Sequence, residues 1–158
     1  MGGINKPSLY DFSLLHRLGD KRIASDSRNV IATKAADGSI VIAAWNIVDP
    51  SSVPPLPEGP GGATNAKAGV VGPTRKMEMA FSGVPPDAAV SISRVDADHG
   101  NVLPYYYAMN APRNPTEAQI VQLNRESAPG APEQTHLKGG RLSLTLTPNA
   151  VVLITVRP

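Results

Sequence analysis

The sequence contains no cysteine. Disulfides and thiolate chemistry are therefore excluded, and any metal site is confined to histidine and carboxylate ligands. Histidine is scarce as well: His16, His99 and His136 are the only three imidazoles that could act as a base. Aromatic residues make up 4% of the chain, with a single tryptophan, so a broad stacking surface has little to draw on. No apolar run approaches the ~20 residues of a membrane-spanning helix. Charge of one sign is concentrated nowhere. The 15 basic and 13 acidic residues are scattered and leave a net charge of +2, a balance that argues against nucleic acid or an anionic membrane as partner. The opening residues, MGGINKPSLYDF, lack the basic-then-apolar order of a signal peptide. They read as a clipped beginning, and both a cytoplasmic and an exported bacterial location stay open. Motifs for nucleotides and nucleophiles are missing too: there is no G-x-S-x-G, no P-loop and no dinucleotide fingerprint between a strand and a helix. No cofactor is expected.

What the chain does have is turn chemistry. Its 158 residues fit one domain with a real core, and 16 prolines and 14 glycines predict many turns. Residues 9–18 read as a short helix with a stripe of Leu9, Phe12, Leu15 and Leu18; Leu14 widens it, and Gly19 is placed to end it. Val30 to Lys34 and Ile40 to Val48 are β-branched runs on either side of Asp37-Gly38, the signature of a hairpin with a type I′ turn. The second run is apolar on both faces, which suits a central strand. Residues 49–74 form a Pro/Gly-rich irregular connection. Lys76 to Val84 alternates, with Met77, Met79 and Phe81 on one face. Another strand begins at Val90, followed by a polar turn at Asp96, Asp98, Gly100 and Asn101 and an apolar loop from Val102 to Met109. A helix is expected from Asn114, with Pro115 in its first turn, Glu117 closing a capping box, and Ile120, Val121 and Leu123 as its apolar face. After a further loop, APGAPEQT, come Leu142, Leu144 and Leu146 in alternation, a Pro148-Asn149 turn and an apolar closing strand from Val151 to Val156. The pattern predicts a mainly β fold, an antiparallel β-sandwich with one or two short helices: residues 1–20 carry the first helix and 21–158 the sandwich.

Three groups of residues are candidates for chemistry. Asp96, Asp98 and His99 have the hard oxygens and imidazole of a divalent-cation site, but short polar side chains in this spacing more commonly bond their own backbone. With Asn101 they are expected to pin a structural turn, and no metal is expected. Trp45, Tyr105, Tyr106 and Tyr107 are the candidates for stacking on a sugar ring. Three consecutive tyrosines cannot all face one way in an extended chain, so packing against the following helix competes with that role. The five glutamates, Glu58, Glu78, Glu117, Glu126 and Glu133, fall in two loops, on one polar strand face and near the two ends of a helix. Glycoside hydrolysis needs two carboxylates fixed across a cleft, and this spacing supplies no such pair, so no catalytic residue is assigned.

The stretches LLHRLGD at 14–20, ATKAADGSIVIAAWN at 32–46, SRVDADHGN at 93–101 and NPTEAQIVQL at 114–123 resemble the C-terminal region of family 39 glycoside hydrolases, the β-xylosidase family. In that family an α/β barrel carries an acid/base glutamate and a nucleophile glutamate, and a β-sandwich follows the barrel and packs on it. The resemblance implies that residues 9–18 match the barrel's last helix and that the remainder is the accessory sandwich. The Asn-Glu pair that holds the family's acid/base residue has no match, since no asparagine here is followed by glutamate. Neither catalytic glutamate carries over. The expectation is a non-catalytic accessory domain with a structural or interaction role, partnered by a missing barrel or by another copy of itself as a homo-oligomer, with xylo-oligosaccharide as a further partner. The alternatives are a free-standing carbohydrate-binding module for xylan-type sugars and a small glycoside hydrolase with an unrecognised site.

Overall fold

The structure, a computed structural model, describes residues 3–49, 51 and 71–158. Most of the Pro/Gly-rich connection at 49–74 therefore lies outside the described residues. In chain order the elements are α1 (Pro7–Leu15), β1 (Lys21–Ile23), β2 (Val30–Lys34), β3 (Ile40–Asn46), β4 (Arg75–Ala80) and β5 (Ala89–Val95), then α2 (Leu103–Ala108), α3 (Glu117–Glu126), β6 (Glu133–His136), β7 (Arg141–Leu146) and β8 (Ala150–Val156). A six-stranded antiparallel sheet in the order β1-β2-β3-β8-β5-β6 faces a two-stranded sheet of β4 and β7. The fold is the expected mainly β, antiparallel sandwich, with three helices among the described residues instead of one or two.

β8 holds the large sheet together, pairing with β3 from Ile40↔Val156 to Asn46↔Ala150 and with β5 from Val90↔Val156 to Val95↔Val151. Its sequence, apolar at every position but Thr155, suits this place because both its faces are covered. Ala150, Val152, Ile154 and Val156 point into the sandwich beside Ile92, Leu144 and Leu146. Leu153 points the other way, to an outer layer with Val41, Ala43, Val95 and Leu14 of α1. Burying each large aliphatic side chain contributes roughly 1.5–3 kcal/mol, so the two layers together carry most of the drive to fold. The molecule is thus helix on sheet on short sheet.

Several local expectations need correction. The β2–β3 connection is not a type I′ turn. Gly38 N donates to Ala35 O at 3.0 Å and Ala35 N to Ser39 O at 2.9 Å, while Gly38 alone among these residues has positive φ, +87°. That is a type I turn followed by a left-handed glycine, the three-residue alternative for a hairpin. Residues 102–109 are not a loop: Asn101 Oδ1 accepts from Leu103 N at 3.1 Å, Pro104 suits the first turn, and α2 runs until Asn110 turns to φ +60°. α3 is capped two residues later than Asn114. Thr116 Oγ1 accepts from Gln119 N at 3.3 Å and Gln119 Oε1 accepts from Thr116 N at 2.9 Å, so Gln119, not Glu117, completes the box. Within α3, Leu123 is buried while Val121 is exposed. The end of the supposed loop APGAPEQT is the edge strand β6, whose register with β5 runs from Ala89↔His136 to Ile92↔Glu133. β1, only three residues long, was not anticipated; it pairs Lys21 to Lys34 through Ile23 to Ala32.

The first helix also turns a different side to the sheet. Leu14 is its buried residue, Tyr10, Leu15 and Leu18 pack around it, and Leu9 and Phe12 remain 49% and 72% exposed. Tyr10, Leu14 and Leu18 follow a spacing of four, which tracks along the outer face of β5 and β8. At the following turn Gly19 comes so close to β2 that an added Cβ would overlap the carbonyl of Lys34. Gly19 N meanwhile donates to Thr33 Oγ1 at 2.8 Å.

Candidate functional site

The aromatic candidates occupy two places. Trp45 lies on β3, opposite Val151 of β8, and is half-buried. Tyr105, Tyr106 and Tyr107 are successive residues of α2, so their rings leave the helix in three directions. Tyr106 and Tyr107 meet edge to face with centroids 5.8 Å apart at 62°, and Tyr106 Oη donates to Pro112 O at 3.1 Å. Tyr105 is 36% exposed. Among the described residues no ring contact joins Trp45 to these tyrosines. A flat platform of the kind that stacks a pyranose is not assembled from this set.

Around Asp96 the bonds run inward. Its Oδ1 accepts from Asp98 N at 2.9 Å and from His99 N at 3.0 Å, and lies 2.7 Å from His99 Nδ1. Asp96 N donates back to His99 O at 2.9 Å. Asn101 continues the pattern, with Nδ2 donating to Ala97 O at 3.1 Å and Oδ1 receiving Leu103 N. One carboxylate oxygen thus binds two backbone amides and an imidazole, which joins the end of β5 to the start of α2. Among the described residues no group of three or more His, Asp or Glu is placed to hold a metal ion.

A concavity lies elsewhere. The two-stranded sheet is too narrow to roof the six-stranded one, and a cleft of about 640 Å³ remains between β4 and the inner face of β1, β2 and β3. Its floor on the large sheet is apolar, with Ile23, Val30 and Ile42, and Met77 and Met79 face it from β4, while Asp26, Arg75, Lys76 and Glu78 give its rim a polar border. Among the described residues the carboxylates on this cleft are Asp26 and Glu78, and both are exposed. Among the described residues neither shares a hydrogen bond or ion pair with another side chain. A glycosidase pair needs both carboxyl groups held at a set separation by their surroundings, and nothing holds these two.

Asn46 is the polar residue with the most extensive role that the sequence alone did not single out. It is 4% exposed at the end of β3. Its Nδ2 donates to Pro73 O at 2.9 Å, Thr147 O at 3.1 Å and Leu146 O at 3.3 Å, and its Oδ1 accepts from Arg75 Nε at 3.4 Å. One amide thus ties the large sheet to both strands of the small one. An asparagine in an otherwise apolar strand was the available signal, since such a group is buried only with its bonds met.

With this geometry in view, the comparisons with known proteins are direct. The chain is 29% identical to a β-xylosidase of Geobacillus stearothermophilus over 157 residues, which is 97% of this chain and 27% of that protein. A monomeric β-xylosidase from Caulobacter crescentus CB15 superposes with a TM-score of 0.68 at 19% identity, over 97% of this chain and 31% of that one. The family 39 enzyme of Xanthomonas axonopodis pv. citri gives a TM-score of 0.67 at 18% identity, over 97% and 30%. This chain resembles one part of family 39 glycoside hydrolases. No family model matches the sequence. The resemblance inferred from LLHRLGD, SRVDADHGN and the neighbouring stretches thus extends over almost the whole chain in fold. It extends over only about a quarter to a third of the family 39 proteins and the xylosidase that it matches.

Proposed function

We propose that the chain is a non-catalytic accessory sandwich of a xylosidase-like glycoside hydrolase, with a structural and interaction role. The observation that carries this reading is the asymmetry of coverage: nearly all of this chain aligns with less than a third of each relative. An alignment of that shape describes a module, and the unpaired carboxylates along the cleft give it no glycosidase chemistry of its own. Such a module acts by presenting a surface. The exposed Leu9 and Phe12 on α1 suit packing on a large neighbour, either a catalytic barrel supplied outside residues 1–158 or, in its absence, a second copy of the chain.

The test is a paired assay on the isolated chain. Aryl xylosides should not be hydrolysed, and calorimetry with xylo-oligosaccharides should show no heat of binding. Turnover abolished by one substitution, such as Glu78→Gln, overturns the accessory reading in favour of a small hydrolase. Saturable sugar binding lost in Trp45→Ala or Tyr105→Ala replaces it with a carbohydrate-binding module. Light scattering should report an assembly that Phe12→Asp dissociates; a monomer at every concentration rules out self-pairing through α1.

A further inference from the structure

We infer that the outer edge of β4, which has no strand partner among the described residues, is a docking strip for one extended peptide segment, which adds to the small sheet as a third strand and closes the cleft. The first support is the direction of the backbone. Phe81 N donates to Gly140 O at 2.9 Å in the same register that pairs Ala80 with Arg141, so Phe81 bonds toward β7. Bonding direction alternates along an antiparallel strand, so Met77 and Met79 also turn their amides and carbonyls to β7. Lys76, Glu78 and Ala80 turn theirs away, to the side where no described strand pairs with β4. The second support is what lies beneath that side. The inner face of the large sheet continues past β4, and Ile23, Val30 and Ile40 there are only half-buried. An unpaired row of peptide groups above an apolar floor is met on both counts by an extended backbone with alternate apolar side chains.

The same overhang selects the occupant. A second copy pairing β4 with β4 would bring its own β1 and β2 into the layer already filled by the first copy's large sheet. A single strand has no such layer to place. Its chemistry follows from β4: apolar residues opposite Met77 and Met79 reach into the cleft, and on the outer side a carboxylate opposite Lys76 and an ammonium opposite Glu78 complete two cross-strand pairs.

The probe is the capped hexapeptide Thr-Val-Lys-Val-Glu-Val, which places its valines over the cleft when it runs antiparallel to β4. Amide exchange read by NMR on the whole chain reports the result. In the free protein, Lys76, Glu78 and Ala80 should exchange faster than Met77 and Met79. At half-saturation with millimolar peptide, exchange at those three amides should slow about twofold. The same peptide N-methylated at its Lys and Glu nitrogens should have no effect, because it cannot donate to the strip. A version with Lys and Glu exchanged should bind at least about twofold more weakly. Protection of the three amides in dilute free protein would show the edge already covered, and protection that rises with protein concentration would give it to a second copy. Either result overturns the assignment, as would equal binding by the N-methylated peptide or no slowing at millimolar peptide. None of these readouts depends on whether the chain serves a glycosidase.

Discussion

β7 and β4 form one small sheet, and their sequences alternate equally well, yet they end in different surroundings. Leu142, Leu144 and Leu146 of β7 are buried, at 7%, 7% and 0% exposure. Met77 and Met79, facing the same way on β4, are only half-buried. The strands differ in what lies opposite: β7 sits over the centre of the large sheet, while β4 sits over its open flank. Alternation therefore reports which side of a strand is apolar and not whether anything covers it. Methionine suits the uncovered strand, since its flexible thioether tolerates a loosely defined neighbour.

The contrast is most easily broken by truncation. Leu146→Ala should cost about 3–4 kcal/mol in urea unfolding and Met79→Ala no more than about 1.5, because the second cavity already opens to water. Equal losses would mean that the cleft is filled in solution. A parallel contrast exists on α1. Leu14→Ala, in the layer with Leu153 and Val95, should cost about 2–3 kcal/mol, while Phe12→Ala, measured in protein dilute enough to be monomeric, should stay within about 0.5. A large loss at Phe12 in the dilute monomer would place that ring against the sheet rather than on the surface. Asn46→Ala cuts the bonds reaching Pro73 ahead of β4 and Leu146 at the end of β7, and should cost about 2 kcal/mol with both strands loosened together. Faster amide exchange in β4 alone would show that β7 does not rely on the latch.

The smallest effect is electrostatic. Burial raises the Asp11 carboxyl above its ordinary range, and its Oδ1 has no hydrogen-bond partner among the described residues. The native state therefore holds this proton more tightly than the unfolded chain does, and stability from this group falls as pH rises from the unfolded value through the raised native one. Asp11→Asn should be more stable than the parent at pH 7, by less than about 1 kcal/mol because the site is half exposed, and indistinguishable from it at pH 3. A variant less stable at pH 7 would show that the ionised carboxylate has a partner.

The strands whose pairing and burial agree were legible. β3 and β8 announce themselves by being apolar on both faces, and β7 by strict alternation. What stayed hidden depends on distant partners. β6 is a polar run, Glu133 to His136, made into a strand by the edge of β5, and β1 is held by three pairs to β2. The face that α1 presents was misread because Leu9, Phe12, Leu15 and Leu18 give a plausible stripe, while Tyr10 and Leu14 match the sheet actually beneath them. Of the site candidates, the polar turn at Asp96 was visible as turn chemistry. The cleft was not, since it arises from two sheets of unequal width, a property of no single segment.

The place of β8 has a consequence for how the domain is made. Ile40 finds its neighbour only at Val156, and β5 finds its own on the same late strand. On a ribosome, β1 to β3 and β5 to β6 emerge as two separate half-sheets with open edges and exposed apolar faces. They cannot be joined until residues 150–156 have left the exit tunnel. Folding of this unit thus waits for β8 and is dominated by long-range pairing, which is slow. A stop codon before Ala150 would release two aggregation-prone halves rather than a shortened sandwich.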